Sequence, residues 1–258
     1  MVDVLQLSVE AHTAFITLDN PPANTWTLAS LQRLESMIRE INGNREVTTL
    51  IIRSAREKFF SAGADLNVFN HQPPKEVEAM AAAFGKGFEA LTDFSGLSIA
   101  AINGYAMGGG LEVALACDLL VAEKQAVMAL PEASVGLLPC AGGTQNLTLR
   151  VGEGWAKRMI LCGEKVDGAK AHAIGLVDVL VEEGESVNTA KTFAKKALRQ
   201  SPDAVRACKQ LIQLGREMPP RSALPMEREL FMKLFEGNNQ QEGVSAFLEK
   251  RQPVWDYD

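Results

Sequence analysis

Cysteine and histidine are scarce, and neither clusters. The four cysteines, Cys117, Cys140, Cys162 and Cys208, stand far apart with no C-x-x-C pair, which argues against both a disulfide framework and a zinc site. The three histidines, His12, His71 and His172, are equally scattered. No metal is therefore expected, and reduced cytoplasmic conditions fit best. Positive charge is also in deficit: 26 Lys+Arg against 32 Asp+Glu leave a net charge of −6. That balance argues against non-specific nucleic-acid binding, because phosphate contacts need a basic surface. The start, Met1-Val2-Asp3-Val4, has no basic segment followed by an apolar run, so no signal peptide is expected. Long apolar runs are missing as well. The one uncharged stretch of span length, the 18 residues from Phe94 to Leu111, holds Ser95, Ser98, Asn103 and five glycines. It makes a poor membrane span and a good glycine-rich site.

What is present is ordinary for a soluble globular protein: 258 residues, 47% hydrophobic and 22% charged, enough for one large domain or a domain with an appendage. Charge is unevenly spread. From Ser186 onward 12 Lys+Arg face 9 Asp+Glu, and a locally basic end suits a ligand with phosphates as well as a solvated helical surface. Leu5, Leu7 and Val9, then Ala14, Ile16 and Leu18 across Glu10-Ala11-His12, give a β-hairpin pattern that Asn20-Pro21-Pro22 stops. Leu31, Leu34, Ile38 and Ile41 predict a helix from about Leu28 to Ile41 with Thr27 as its cap. Thr49 to Arg53 reads as a buried strand, Phe60 to Leu66 as a glycine-containing loop, Lys75 to Leu91 as a helix and Ser98 to Ile102 as a strand. A helix from Leu111 to about Cys117 and short strands at Leu119 to Ala122 and Val127 to Ala129 follow. Alternating strands and helices predict an α/β architecture with parallel pairing. Beyond Ser186 strand signals vanish, and the chain reads as helices broken at Pro202, Pro219-Pro220 and Pro225. The boundary is placed between a core of residues 1–195 and a helical region of residues 196–258. There is no internal repeat and no low-complexity tract.

Three segments place backbone or carboxylate groups at element boundaries. In Phe60-Ser61-Ala62-Gly63-Ala64-Asp65-Leu66 small residues let a ligand approach the main chain, and Gly63 permits a turn closed to other residues. In Asn103-Gly104-Tyr105-Ala106-Met107-Gly108-Gly109-Gly110-Leu111-Glu112 a triple glycine opens a helix, whose free N–H groups favour a developing oxyanion, with Glu112 in the first turn. In Pro131-Glu132 through Leu138-Pro139-Cys140-Ala141-Gly142-Gly143-Thr144, Glu132 stands without a charged neighbour downstream until Arg150. A carboxyl among apolar groups is suited to general acid or base work.

Taken together and in this order, the segments resemble the crotonase (enoyl-CoA hydratase/isomerase) family. The resemblance is most specific at Ala101-Ile102-Asn103-Gly104-Tyr105-Ala106-Met107-Gly108-Gly109-Gly110-Leu111-Glu112, with Pro131-Glu132 and Gly142-Gly143-Thr144-Gln145, and it covers nearly the whole chain. It implies a spiral of ββα repeats with a C-terminal helical region that mediates trimerisation, commonly as a dimer of trimers. It also implies an oxyanion hole made by the backbone N–H groups of Ala64 and Gly109. Two glutamates, Glu112 and Glu132, would hold a water, Glu112 chiefly as base and Glu132 as donor of the α-proton. Coenzyme A contacts carry over to Ala23, Asn24, Ala62, Asp65 and Leu66, and at the far end to Phe247 and Lys250, which would meet the nucleotide. The pocket is expected to draw partly on the Val68 to Leu91 region.

The implied activity is reversible syn hydration of a trans-2-enoyl-CoA to a 3-hydroxyacyl-CoA. It needs no cofactor beyond the coenzyme A of the substrate, no metal, no nucleic acid and no membrane. Cys140 departs from the glycine common in the family, which raises a question about its backbone φ. The nearest alternative is a Δ3,Δ2-enoyl-CoA isomerase, which typically keeps only the later glutamate; another acyl-CoA enzyme of the same fold, or a non-catalytic or RNA-binding relative, is further off.

Overall fold

The computed structural model of the protein describes residues 4–257. Met1 to Asp3, on which the reading of the chain start partly rests, lie outside the described residues, as does Asp258. Alternating residues build the first hairpin as expected: β1 (Leu5–Glu10) and β2 (Thr13–Leu18) pair antiparallel, Leu7 opposite Ile16. A two-residue strand, β3 (Thr25–Trp26), then leads into α1 (Leu28–Gly43). Thr27 caps that helix, its side chain accepting from the Ser30 N–H while the Ser30 hydroxyl accepts from Thr27 N–H, so two otherwise unpaired donors are satisfied reciprocally.

β4 (Thr49–Ser54) runs parallel to β2, and α2 (Pro74–Thr92) buries Met80, Phe84, Phe88 and Leu91 against α1. Between them the segment read as a loop is two short strands, β5 (Phe59–Ser61) and β6 (Gly63–Ala64), with a 3₁₀ turn at Leu66–Val68. Pieces of two and three residues are too short to display an alternation. Next come β7 (Leu97–Ile102), β8 (Tyr105–Met107) and α3 (Gly109–Leu115). The helix therefore starts at Gly109, two residues before the expected Leu111. The remaining core elements are β9 (Leu119–Glu123), β10 (Val127–Ala129), α4 (Gly143–Leu161, interrupted at Gly152), β11 (Val166–Asp167), α5 (Gly168–Ala173) and β12 (Val179–Val181).

The main sheet has the order β1-β2-β4-β7-β9-β12, parallel apart from the first hairpin. Its central strands are apolar on both faces, as a sheet covered on both sides requires. Ile16, Leu50, Ile52, Ala100, Ile102, Leu120 and Ala122 face the large core shared with α1 and α2. Phe15, Ile51, Ile99, Ala101 and Val121, one residue out of phase, face α6 (Ser186–Ala197) through Ala190 and Ala194. A second sheet, β11-β10-β8-β5, and the two-stranded β3-β6 sheet stand beside this frame and carry the glycine-rich segments.

Helices α7 (Pro202–Leu214), α8 (Pro220–Lys233) and α9 (Asn238–Leu248) complete the chain. Pro202 and Pro220 begin helices rather than break them, since a proline in the first turn gives up an N–H that would be unpaired anyway. Pro225, expected to interrupt, lies inside α8 instead, within its first two turns. Among the described residues no helix is long and apolar enough to cross a membrane.

Candidate active site

Three close approaches of main chain bring the glycine-rich segments together. Gly63, at φ 88°, sits where an added Cβ would lie 2.6 Å from Met107 O and 3.2 Å from Gly109 N. A Cβ on Gly110 would stand 2.1 Å from Ser61 O, and one on Gly108 3.0 Å from Glu132 Oε1. No side chain larger than hydrogen fits these contacts, so the glycines hold β5, β6, the start of α3 and Glu132 within one small volume. Ala64 and Gly109 meet there. The Ala62 N–H donates to Ala23 O at 2.9 Å and the Asp65 N–H to Trp26 O at 3.1 Å, which ties this segment to the chain around β3, and Ala64 between them lines the cavity. Gly109 is the first residue of α3, a position whose N–H has no acceptor within the helix.

That cavity encloses about 290 Å³ and is lined by residues that include Ala62, Gly63, Ala64, Leu66, Gly109, Glu112, Glu132 and Cys140. The two glutamates have unlike surroundings. Glu112 is 2% exposed, and its Oε1 accepts from the Ala141 N–H at 2.8 Å and the Gly143 N–H at 2.9 Å. Burial raises its pKa, and those two amide bonds oppose the rise. Both bonds land on one oxygen, which leaves Oε2 for whatever enters. Glu132 starts a 3₁₀ turn over Glu132–Val135. Among the described residues its two buried oxygens have no hydrogen-bond partner. Burial pushes it up to about 7, and the nearby Glu112 charge adds to the rise. Its own backbone N–H opposes this by a contact that falls short of a hydrogen bond.

The Glu132 shift makes folding pH-dependent. The unfolded chain releases this proton near the ordinary value of 4.5 and the folded one near 7. Between the two values the folded state binds more protons, so this group's contribution to stability falls as pH rises through that window. Glu132→Gln, neutral throughout, is expected to raise Tm relative to wild type at about pH 8 and to leave it nearly unchanged at about pH 4. Thermal melts at the two pH values check this; an equal Tm difference at both would contradict it.

The sequence-based site residues divide. Ala62, Ala64, Leu66, Gly109, Glu112 and Glu132 line one cavity; Ala23, Asn24, Asp65, Phe247 and Lys250 do not. Asn24, expected near coenzyme A, is a buried structural residue: its amide donates to Ser54 Oγ at 2.8 Å and Phe60 O at 3.0 Å, and its oxygen accepts from the Asn20 N–H. It holds φ 52°, which asparagine tolerates better than most residues. The backbone of Ala23 is occupied by the Ala62 N–H, and Asp65 caps the 3₁₀ turn by accepting from Asn67. Phe247 lies at the end of α9, 82% exposed, with Lys250 just beyond it in solvent.

Asn24→Ala is expected to cost ~1–3 kcal/mol, because it strands buried groups without their partner. Chemical denaturation measures this, and a loss of substrate affinity without loss of stability would contradict the structural role. Cys140 lines the cavity with an ordinary φ outside the left-handed region, so its replacement of glycine imposes no backbone strain. Burial, then the charges of Glu112 and Glu132, push its thiol up to about 11. Residues 68–91 contribute Phe69 and Phe84 to the wall. Missed in the sequence were the Glu112 donors Ala141 and Gly143, signalled only by the small-residue run around them, and the apolar wall residues Met107, Leu137 and Leu138.

The family model described as enoyl-CoA hydratase/isomerase matches residues 8–258. A short-chain-enoyl-CoA hydratase of Clostridium acetobutylicum is 36% identical over 95% of this chain and 94% of its own length. The 2,3-dehydroadipyl-CoA hydratase of Escherichia coli is 35% identical over 96% of this chain and 97% of its own. Among solved structures, Pseudomonas aeruginosa DspI superposes with a TM-score of 0.96 at 55% identity, over 98% of this chain and 97% of that one. An enoyl-CoA hydratase from Bacillus anthracis gives 0.95 at 32% identity, over 99% and 100%.

Proposed function

Because this chain belongs to the enoyl-CoA hydratase/isomerase family, we propose that it adds water across the 2,3-double bond of a trans-2-enoyl-CoA, giving the 3-hydroxyacyl-CoA. The observation that carries the reading is the unlike pair of carboxyls in one apolar cavity, Glu112 held by two amide N–H groups and Glu132 by none. Two carboxyls whose environments treat their protons differently are what a reaction needs that takes a proton from water at one carbon and gives one to its neighbour. Glu112, with N–H bonds that favour the ionised form, is the base that deprotonates the attacking water at Cβ. Glu132, raised to about 7 by burial, is the acid that protonates Cα on the same face.

Attack at Cβ pushes charge onto the thioester oxygen. The N–H groups of Ala64 and Gly109 receive it, backbone donors that need no reorganisation as the charge develops. An exposed apolar series on the last two helices and the 3₁₀ turn between them, including Phe231, Met232, Phe235, Phe247 and Leu248, supports assembly through that region as a trimer or a dimer of trimers. The names of the relatives span short-chain-enoyl-CoA and 2,3-dehydroadipyl-CoA at near-equal identity, so likeness alone leaves the acyl chain open. Mixing the protein with crotonyl-CoA and following the ultraviolet absorbance of the conjugated thioester tests the reading. Rapid loss of absorbance is expected; no loss with crotonyl-CoA or with longer and branched enoyl-CoAs would overturn it.

A further inference from the structure

Helix α3 carries both Gly109 and Glu112, yet it is only seven residues long, all of them buried. A helix that short is not stable by itself, so its place along its own axis is set by what holds its two ends. α4 grips it twice. Near its start, the Gly143 N–H at the head of α4 and the neighbouring Ala141 N–H hold Glu112 Oε1. At the other end, Arg150 reaches from α4 to the turn that leaves α3. Its Nη2 donates to Asp118 O at 2.8 Å and to Cys117 O at 3.4 Å. Its Nη1 donates to the Asp178 carboxylate at 3.1 Å and to Leu176 O at 3.5 Å, just ahead of β12. Gly143 and Arg150 stand two turns apart on α4, about 10 Å. Grips at that separation fix both where α3 lies and how far it slides.

The Arg150 side chain is 18% exposed, and its partners come from two separate segments, residues 117–118 and 176–178. A cation at the C-terminal end of a helix meets the favourable end of the dipole. Only a planar fork serves two segments at once; a lysine ammonium is a point charge that reaches one. We propose that Arg150 is a positioning residue for the hydration: by fixing α3 lengthwise on α4, it keeps Glu112 and Gly109 in register with Ala64 and Glu132. Arg150 does not itself line the cavity, and the proposal rests on the hydratase reading of that cavity. A slide of α3 moves the base and one oxyanion donor together, while Ala64 on β6 and Glu132 on its own turn stay behind. A misplacement of about 1 Å in such a set costs ~10²-fold in rate. The slide also weakens the amide bonds to Glu112 Oε1, which favour the ionised form. Glu112 then holds its proton to higher pH, and the acid limb of kcat moves up with it.

Arg150→Gln and Arg150→Lys are compared with wild type for kcat and KM on crotonyl-CoA across pH and for melting temperature. The Glu112 carboxyl is titrated in each by ¹³C NMR, its signal assigned with Glu112→Gln. Arg158, the other arginine of α4, pairs with Glu164 at the surface, so Arg158→Gln is the control and is expected to match wild type in kcat and in that titration. Well below its melting temperature, Arg150→Gln is expected to lose ~10²-fold in kcat, with KM within about threefold of wild type. Its Glu112 is expected to titrate about one pH unit higher, the scale of one weakened hydrogen bond to a charged group. Arg150→Lys, which keeps the charge and loses the fork, is expected to fall between the two. A lower melting temperature with kcat and the Glu112 titration unchanged would make the arginine purely structural and overturn the proposal. Should Arg150→Gln not fold, Arg150→Lys decides by the same readouts. Failure of the wild type to hydrate any enoyl-CoA would overturn the hydratase reading instead; the Glu112 titration needs no turnover, and a shift there would still show that Arg150 positions this carboxyl.

Discussion

In the Glu132→Gln variant, kcat for hydration of crotonyl-CoA is expected to fall by about 10²–10⁴-fold, the usual worth of a positioned general acid, with KM changed far less. Glutamine nearly matches glutamate in size, so the wall that Glu132 forms beside Gly108 survives while the transferable proton is lost. The same assignment fixes the pH dependence. The acid form of Glu132 is populated below about 7, so the wild-type hydration rate should decline above that value, while the residual rate of the variant should not show that limb. Because Glu112 and Glu132 interact, the limb reports the pair rather than one residue. Initial rates across pH in both proteins provide the check; a variant within threefold of wild type would remove Glu132 from the chemistry.

Glu112→Gln should cost a similar ~10²–10⁴-fold in kcat for a different reason. The amide oxygen of glutamine can keep both N–H bonds from Ala141 and Gly143, which preserves the turn and the fold. Its NH₂ group then occupies the place of Oε2, and a donor stands where the attacking water needs an acceptor. Circular dichroism and a melting curve close to wild type, combined with lost turnover, separate a missing base from a damaged structure. The double variant should lose little more than the worse single one, because groups that act as a unit are not additive. If instead Glu112→Gln unfolds the protein, the role of Glu112 is to hold the Ala141–Gly143 turn.

Legibility in the sequence followed the length of each periodic pattern. Helices α1 and α2 repeat apolar residues over several turns, β2 alternates, and β4 and β7 hold apolar runs of three or four residues; all were readable. The strands that frame the cavity were not, because β5, β6 and β8 are two or three residues long and their pairing is set by contacts distant in sequence. The glycines marked that something must approach closely at 63 and 108–110, without saying what. Glu112 and Glu132 were found through a family resemblance, and the structure adds what separates them, their hydrogen bonding. Asn24, named for coenzyme A, stands outside the cavity with its side chain engaged by Asn20, Ser54 and Phe60; a buried asparagine at positive φ and one beside a ligand look alike in a string of letters. Pro225 misled because the helix runs on through it, giving up one i→i−4 bond in its second turn instead of ending there.

The most direct test of the central claim is the identity of the product. Crotonyl-CoA incubated with the protein in D₂O and analysed by mass spectrometry and NMR should gain one water, with a hydroxyl at Cβ and one deuterium at Cα. Glu132→Gln should give the same product far more slowly. Recovery of crotonyl-CoA without a β-hydroxyl, together with conversion of a 3-enoyl-CoA to its 2-enoyl isomer, would contradict the account and make the chain an isomerase.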